Sequence, residues 1–218
     1  MKACVVIPTY NEARAIGELV REIRNQNLEV IVIDDGSKDN SSQIARDCGA
    51  TVLRNQRNEG KGASLIKGFN YALSKDFDAV ITMDGDGQHQ PQDIKDFISL
   101  AKNSDSVIFI GNRMLRTKSM PWLRLMTNKF MSWLISVITK QDIPDSQCGF
   151  RLIKKEALKR LNLTTSRYET ESEILIESSH LGFKIESVPV GTVYFGGKSQ
   201  IKPFSDTLRF IRFIISKL

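Results

Sequence analysis

The chain predicts an α/β fold, with an open and mostly parallel sheet that carries helices on its faces. Three observations support this prediction: short β-branched apolar runs, amphipathic helical patterns between them, and regular alternation of the two over the first 110 residues. Apolar runs of this kind are typical of strands buried on both faces of a parallel sheet. A length of 218 residues suits one domain with a substantial core.

The predicted elements follow one another in a simple order. Five apolar runs predict strands, at Ala3–Ile7, Val30–Ile33, Thr51–Leu53, Ala79–Met83 and Val107–Ile110. Apolar residues three and four positions apart predict intervening helices, at Glu12–Asn25, Ser41–Cys48, Gly62–Leu73 and Pro91–Ala101. Because parallel strands are joined by crossovers, the series favours right-handed β-α-β units.

Polar side chains follow the predicted strands, where an open parallel sheet binds its ligands. The first strand is followed by Pro8-Thr9-Tyr10-Asn11-Glu12, which combines a rigid turn, an aromatic ring and a carboxylate. The second is followed by Asp34 and Asp35, and adjacent like charges after a buried strand are hard to explain by capping alone. Lys61 lies in a glycine-rich helix entry that suits a phosphate. The glycine patterns of P-loop and Rossmann sites are absent.

The fourth strand is followed by Asp84-Gly85-Asp86-Gly87-Gln88. Residues i and i+2 of an extended segment point the same way, so both carboxylates can converge on one divalent cation. The small glycines leave room for a phosphate beside that cation. A magnesium-like ion held by one or two carboxylates and by phosphates is the usual way to bind a nucleoside diphosphate. An ordinary surface turn has a similar composition, so the motif gains weight only from the rest of the chain.

Charge is distributed unevenly along the chain. Residues 1–110 contain 13 Lys and Arg against 16 Asp and Glu, whereas residues 111–218 contain 18 against 9, which leaves a net charge of +9 in the second half. A basic half suggests an anionic partner such as a phosphate or a membrane surface. The acidic pairs at the strand ends argue against nucleic acid, whose phosphates they would repel.

The motifs, taken together, resemble a known family. P-T-Y-N-E, I-D-D-G-S-K-D, R-N-E-G-K-G and M-D-G-D-G-Q-H, in this order and spacing, resemble the family-2 inverting glycosyltransferases with the GT-A fold. Gly111-Asn112-Arg113, the segment 145–151 and Val188-Pro189-Val190 are similar to the dolichol-phosphate mannosyltransferase-like branch. Members of that branch move a sugar from a nucleotide donor to a polyprenyl phosphate, so the resemblance implies these two substrates.

The resemblance also implies roles for individual residues. It implies a nucleotide-sugar site built from Pro8, Tyr10, Glu12, Asp34, Asp35, Lys61, Asp84 and Gly85. Asp35 is expected to contact the base, and Asp34 to support its loop. A Mg²⁺ or Mn²⁺ cofactor is expected on Asp86 and Gln88, with Asp84 beside it. The expected catalytic groups are Asp86, Arg113 and Lys198, the last two because they could neutralise phosphate charge.

The acceptor decides whether a general base is needed. A phosphate monoester is already largely ionised at pH 7 and needs none, whereas a sugar hydroxyl requires one. Asp145, Glu169, Glu171 and Glu173 are the candidates for a base, and the sequence does not choose among them. Arg151 is a candidate for an acceptor-side group, as Asp145 and Glu171 also are. Apart from Glu171, the glutamates of residues 169–177 are predicted to lie on a solvated helix face. A transferase acting on a saccharide hydroxyl in cell-envelope polysaccharide synthesis, or a non-catalytic nucleotide-sugar-binding module, stays open as an alternative.

We expect one domain over residues 1–218, with a nucleotide-sugar half at 1–110, an acceptor half at 111–203 and an amphipathic helix at 204–218. That last helix and an apolar helix at Met120–Thr139 could either pack on the sheet or lie in a membrane interface. We assign membrane contact to the C-terminal helix, through Phe204, Phe210, Phe213, Arg209 and Arg212. Three cysteines without C-x-x-C spacing, and no apolar run of about 18–20 residues, predict a cytoplasmic protein. We expect it on the inner face of the cell membrane, with a membrane protein as a candidate partner.

Overall fold

A computed structural model describes residues 1–115, 117, 120–192, 210 and 212–214. Within them the strands form one sheet in the order β3-β2-β1-β4-β6-β5-β7. The strands are β1 (Ala3–Thr9), β2 (Glu29–Asp34), β3 (Thr51–Arg54), β4 (Ala79–Thr82), β5 (Ile108–Asn112), β6 (Arg151–Lys154) and β7 (Ile185–Pro189). Strand β6 is antiparallel to both neighbours, and the other pairs are parallel. The predicted mostly parallel α/β fold is confirmed.

Helices cover both faces of this sheet. They are α1 (Ile16–Arg24), α2 (Ser41–Asp47), α3 (Lys61–Ser74), α4 (Ile94–Asn103), α5 (Trp122–Thr139), α6 (Lys155–Arg160) and α7 (Glu169–His180). Successive strand residues point to opposite faces, so Cys4 and Val6 join one core cluster whereas Val5 and Ile7 join the other. The first cluster contains residues of α3, α5, α6 and α7, and the second contains residues of α1, α2 and α4.

The predicted strands and helices of the first half are present, with shifted ends. The first helix begins at Ile16 rather than at Glu12, and a 3₁₀ turn at Pro91–Asp93 precedes α4. Strands β6 and β7 were not predicted. The reversal at β6 has a consequence for the site, because the segment 145–150 before it lies at the same sheet edge as the loops after the parallel strands.

The described part of the C-terminal segment packs into the core. Phe210 and residues 212–214 are helical, and Phe210, Phe213 and Ile214 belong to the first core cluster. The expectation that Phe210 and Phe213 face a membrane is therefore wrong, because both rings are buried among core residues. Arg212 is exposed. Phe204, Arg209 and Lys198 lie outside the described residues.

Helix α5 packs apolar residues against the core, where Met131, Leu134 and Ile138 are partly buried, and it also exposes a second apolar stripe. Its exposed residues include Trp122, Leu123, Met126, Phe130, Trp133 and Val137, which are 56–74% exposed. Its buried residues are Asn128, Ser132, Ile135 and Thr139, of which three are polar. From Trp122 the exposed stripe advances by four, four, three and four residues, the spacing of one helix face. In the part of the chain that the structure describes, no helix is long and apolar enough to span a bilayer.

Candidate active site

The loops after β1 and β2 are joined by hydrogen bonds. The backbone N–H of Asp35 donates to the carbonyl of Thr9 (2.8 Å), and that of Asn11 donates to the Ser37 hydroxyl (2.9 Å). The backbone N–H of Lys38 donates a hydrogen bond to the side-chain oxygen of Asn11, at 2.8 Å. Asn11 adopts a positive φ of 57°, which its short polar side chain tolerates. These bonds fix the segment that carries the half-exposed Tyr10 at the carboxyl edge of the sheet.

Asp34 and Asp35 are both buried, and each holds a loop. Asp34 accepts hydrogen bonds from the Ser37 N–H at 2.9 Å and from the Ser42 hydroxyl. Asp35 accepts from the Asn55 amide at 2.8 Å and from the backbone N–H groups of Glu59 (2.9 Å) and Gly60 (2.8 Å). The Asp35 carboxylate therefore anchors the loop that leads into α3, at the start of which Lys61 lies.

Two glycines allow α3 to begin against the loop before α7. A Cβ on Gly60 would lie 2.4 Å from the Ser166 carbonyl oxygen, and a Cβ on Gly62 only 1.9 Å from the Thr170 hydroxyl. Gly60 also has a φ of 105°, which favours glycine. The backbone N–H of Ala63 donates to the Ser166 carbonyl at 3.0 Å. This close approach brings Lys61, between the two glycines, to the N-terminal turn of α7.

Lys61 lies between two carboxylates. Its Nζ is 2.5 Å from Asp84 Oδ1 and 2.7 Å from Glu171 Oε1. Burial opposes the charge on Lys61, but the two carboxylates outweigh it and raise the pKa of the ammonium group. Gly149 leaves the space in which these groups meet, because a Cβ at that position would lie only 2.8 Å from Asp84 Oδ1 and 2.9 Å from Glu171 Oε1.

His89 supports the Asp84 loop from the buried side. Its Nδ1 accepts a hydrogen bond from the Asp84 N–H at 3.3 Å, and its ring stacks on Phe150 with centroids 5.2 Å apart. Burial lowers the pKa of His89 despite the nearby Asp84 carboxylate. Burial also opposes ionisation of Asp84, but Lys61, His89 and Arg113 together hold its pKa below the ordinary value. Asp84 is therefore an ionised carboxylate on a supported loop.

The carboxylates near Asp86 are short of compensating positive charge. Burial, followed by the charges of Asp86, Asp39 and Asp84, raises the pKa of Glu12 to about 7. The Asp86 carboxylate accepts the Gln88 N–H at 3.0 Å and is half-buried. The described residues contain no preassembled cluster of three His, Cys, Asp or Glu side chains for a metal ion. The carboxylates of Asp84 and Asp86 and the amide oxygen of Gln88 nevertheless fit a magnesium-type ion that completes its coordination shell with phosphates.

Arg113 and Asp145 form a buried bidentate pair. Arg113 Nε donates to Asp145 Oδ2 at 2.7 Å and Nη2 donates to Oδ1 at 2.8 Å. The backbone N–H of Arg113 also donates to the same carboxylate, at 3.1 Å. Burial raises the pKa of the neighbouring Cys148 thiol to about 12, which leaves a neutral thiol. Asp145 is fully buried and orients Arg113, a geometry unsuited to accepting a proton from a substrate.

Arg151 acts as a clamp between backbone segments. Its guanidinium donates to the carbonyls of Cys148 (2.9 Å), Ser146 (2.7 Å) and Glu171 (2.5 Å), and the side chain is fully buried. It thereby joins the segment before β6 to the first turn of α7. These contacts make Arg151 a structural support for Glu171, and the structure places no part of it at an open surface.

Helix α7 is not the solvated helix that the sequence suggested. Glu169 is 8% exposed and Glu173 is fully buried, so the predicted solvated face is wrong for these two residues. The Glu173 carboxylate accepts hydrogen bonds from the hydroxyls and backbone N–H groups of Thr164 and Thr165. Capping of a local loop therefore explains the burial of Glu173, and only Glu171 of the three glutamates reaches Lys61.

The edge of the sheet thus brings together most of the predicted site residues. Gly85 packs on the first loop, because a Cβ there would lie 3.3 Å from the Pro8 carbonyl oxygen and 3.0 Å from the Thr9 hydroxyl. Lys198 falls outside the described residues. Sequence reasoning missed Gly149, whose signal is its position in the segment before Arg151. Taken together, the arrangement can hold a diphosphate, a divalent cation and an anionic acceptor near one cluster of charged groups.

Comparison with known proteins identifies the family of the chain. Residues 4–161 match the family model described as Glycosyl transferase family 2. A UDP-N-acetylglucosamine–dolichyl-phosphate N-acetylglucosaminyltransferase of Methanococcus voltae is 32% identical over 213 residues, which cover 87% of this chain and 85% of that protein. A dolichol-phosphate mannosyltransferase of Pyrococcus furiosus is 32% identical over 202 residues, which cover 87% of this chain and 56% of that protein.

A solved structure shows the same fold. Glucosyl-3-phosphoglycerate synthase from Mycobacterium tuberculosis, in complex with Mn²⁺, UDP-glucose and phosphoglyceric acid, superposes with a TM-score of 0.80. It is 19% identical, and the match covers 99% of this chain and 79% of that one. At this level of identity the likeness shows the fold alone, and it confirms the predicted GT-A fold.

Proposed function

The chain belongs to glycosyl transferase family 2, and from this premise we propose that it transfers a sugar from a UDP- or GDP-linked donor to a polyprenyl phosphate at a membrane surface. The relatives from M. voltae and P. furiosus, whose names specify dolichyl- or dolichol-phosphate acceptors, support this acceptor class. The observation that carries the proposal is the exposed apolar stripe of α5, because a polyprenyl phosphate is reached only at a membrane.

Helix α5 has the charge expected of a surface that lies on anionic lipid. Residues 122–139 contain Arg124 and Lys129 and no acidic side chain. The exposed stripe contains two Trp and one Phe, and the rings of Phe130 and Trp133 lie 5.9 Å apart. Aromatic residues flanked by basic ones are typical of helices that lie in the interface plane. We therefore propose that α5, and not the C-terminal helix, contacts the membrane.

The donor is proposed to bind at the loops after β1, β2 and β4. Tyr10 and the loop held by Asp35 would surround the nucleoside, and Asp84 would contact the ribose or the sugar. Asp86 and Gln88 would hold a Mg²⁺ or Mn²⁺ ion on the diphosphate, and the Mn²⁺ in the related structure supports this choice of metal. Such an ion, when bound, stabilises charge on the leaving diphosphate.

The protein's own part in the reaction is electrostatic and positional. The acceptor phosphate displaces the nucleoside diphosphate at the anomeric carbon in line, which inverts the configuration there. Arg113, oriented by Asp145, is proposed to offer positive charge to the leaving group or to the acceptor phosphate. No proton has to be removed from an ionised phosphate, and the candidate bases Asp145 and Glu171 are each paired with a cation.

An acceptor comparison tests the proposal. The intact chain is incubated with Mn²⁺ and radiolabelled UDP- and GDP-sugars, and either polyprenyl phosphate in anionic vesicles or a soluble oligosaccharide is supplied. We expect label in the lipid fraction only, attached with inverted anomeric configuration. Transfer to the oligosaccharide with none to the lipid would contradict the acceptor assignment. Nucleotide-sugar binding without transfer to either acceptor would support a non-catalytic binding module instead.

A further inference from the structure

Lys61 is shared by carboxylates from different halves of the chain. Asp84 belongs to the loop after β4, in the donor half, and Glu171 belongs to α7, more than 80 residues later. Together the three side chains have a net charge of −1, so the lysine is paired even when one carboxylate is withdrawn. Glu171 is 7% exposed, and its Oε1 lies 2.7 Å from the Lys61 ammonium nitrogen. Its contact with Lys61 is therefore a buried ion pair.

We propose that Glu171 is a positioning residue that retains Lys61 when Asp84 turns to the donor, and that it is not a general base. This inference rests on the proposed function, in which Asp84 contacts the nucleotide sugar. A lysine paired with Asp84 alone would have to lose its only partner whenever the donor bound. Breaking a buried one-to-one pair leaves an uncompensated charge and is strongly unfavourable. The second carboxylate removes that penalty, because Lys61 stays paired with Glu171.

The surrounding packing explains how Glu171 can hold this position. Arg151 donates to the Glu171 backbone carbonyl, which fixes the first turn of α7. Gly60 and Gly62 let the start of α3 approach the same turn, and Gly149 leaves the space in which the charges meet. Buried Arg151 and the three glycines therefore all support the contact between Lys61 and Glu171. A general base would instead need its carboxylate oxygen within about 3 Å of an acceptor proton.

The two roles of Glu171 predict opposite effects of the same substitution. In Glu171→Gln the lysine keeps only Asp84, so binding of UDP or GDP with Mn²⁺ should weaken about 10-fold, a typical size for coupling between sites. The kcat at saturating donor should fall by less than 10-fold. Loss of a general base would leave nucleotide affinity unchanged and reduce kcat by about 10²–10⁴-fold. Calorimetric titration without acceptor and steady-state kinetics with acceptor measure the two quantities separately.

Matched variants make the test decisive. Glu177→Gln makes the same change on the same helix, six residues away, and should leave nucleotide affinity and kcat unaltered. If Glu171→Gln does not fold, Glu171→Asp, which keeps the charge but shortens the side chain, should weaken nucleotide binding more than it lowers kcat. In Lys61→Gln there is no lysine left to retain, so adding Glu171→Gln should weaken binding no further.

Three outcomes overturn the inference. These are unchanged nucleotide affinity in Glu171→Gln with a large loss of kcat, additive effects in the double variant, and an equal affinity loss in Glu177→Gln. Nucleotide titrations contain no acceptor, so they report on Glu171 even if polyprenyl phosphate proves to be the wrong acceptor. Failure of the acceptor assignment appears only in the transfer assay, and the two failures can therefore be distinguished.

Discussion

Replacing the neighbouring aromatic residues Phe130 and Trp133 on α5 should release the protein from anionic membranes. Phe130 and Trp133 are 59% and 60% exposed. Aromatic side chains bury about 150–250 Å² each, so these fractions correspond to roughly 250 Å² for the pair. At about 25 cal/mol per Å² complete transfer from water is worth about 6 kcal/mol, and a helix half-immersed in the interface gains about 3 kcal/mol. The double variant Phe130→Ser/Trp133→Ser should therefore bind vesicles about 100-fold more weakly.

Sedimentation with phosphatidylserine-containing vesicles measures this partitioning directly. Phe130→Leu/Trp133→Leu keeps most of the apolar surface at the same positions and should bind within about 10-fold of the wild type. Because the two side chains are exposed, the free energy of unfolding should change by no more than about 0.5 kcal/mol in the serine variant. Added salt should weaken wild-type binding by screening Arg124 and Lys129. Equal binding by the serine variant, or no binding by the wild type, would refute the reasoning.

Three further predictions concern the donor site. Asp86→Asn should abolish transfer and the metal dependence of nucleotide binding with an unchanged melting temperature; near-normal turnover would exclude metal ligation by Asp86. Asp35→Ala should lower the free energy of unfolding by about 2–3 kcal/mol, because Asn55 and two backbone N–H groups lose their acceptor. The same substitution should weaken nucleotide binding equally with and without Mn²⁺. A binding defect seen only with metal would place Asp35 at the metal. The pKa of Glu12 is raised to about 7, so its ionisation destabilises the fold progressively as pH rises from about 4.5 to 7. Glu12→Gln should therefore stabilise the metal-free protein by about 1 kcal/mol at pH 8, after allowance for solvent screening, and should have no such effect at pH 4. Stabilisation that does not depend on pH in denaturant titrations would contradict this.

The donor side of the site was predictable because its residues follow parallel strands. A buried apolar run ending at Asp34 or before Asp84 identifies both the strand and the edge at which it ends. No knowledge of the side-chain partners is needed for that step. The hydrogen bonds that engage Asp35 could not be predicted, because the partners Asn55, Glu59 and Gly60 come from the next crossover.

The acceptor side was harder to predict for two physical reasons. Strand β6 has only four residues, begins with Arg151 and ends with Lys154, so neither its length nor its composition indicates a buried strand. Arg151 is buried because three backbone carbonyls satisfy its guanidinium, and those carbonyls come together only in the folded chain. For the same reason the contact between Lys61 and Glu171 has no signal in local sequence spacing.

On helix α5, periodicity predicted the helix but not which face would be buried. Apolar stripes normally face the core, and that expectation would have placed Trp133 inside and Ser132 outside. In the structure Trp133 is exposed and Ser132 is buried, and the Ser132 hydroxyl accepts a hydrogen bond from the Ser146 N–H at 2.8 Å. The inward side also carries apolar residues, since Met131, Leu134 and Ile138 pack against the core, so periodicity alone could not select the buried face.

If α5 lies in a membrane interface as proposed, this bond at Ser132 also sets the distance between the lipid surface and Arg113. Ser146 follows Asp145, which holds Arg113, so a single helix separates the exposed aromatic stripe from the arginine. A helix with its side chains is about 10–12 Å across. With the stripe in the interface, a phosphate at the bilayer surface would need to rise by only about that height to meet Arg113. The isoprenoid tail could then stay in the hydrocarbon throughout turnover, so acceptors that differ only in tail length should react at similar rates once they are long enough to remain embedded.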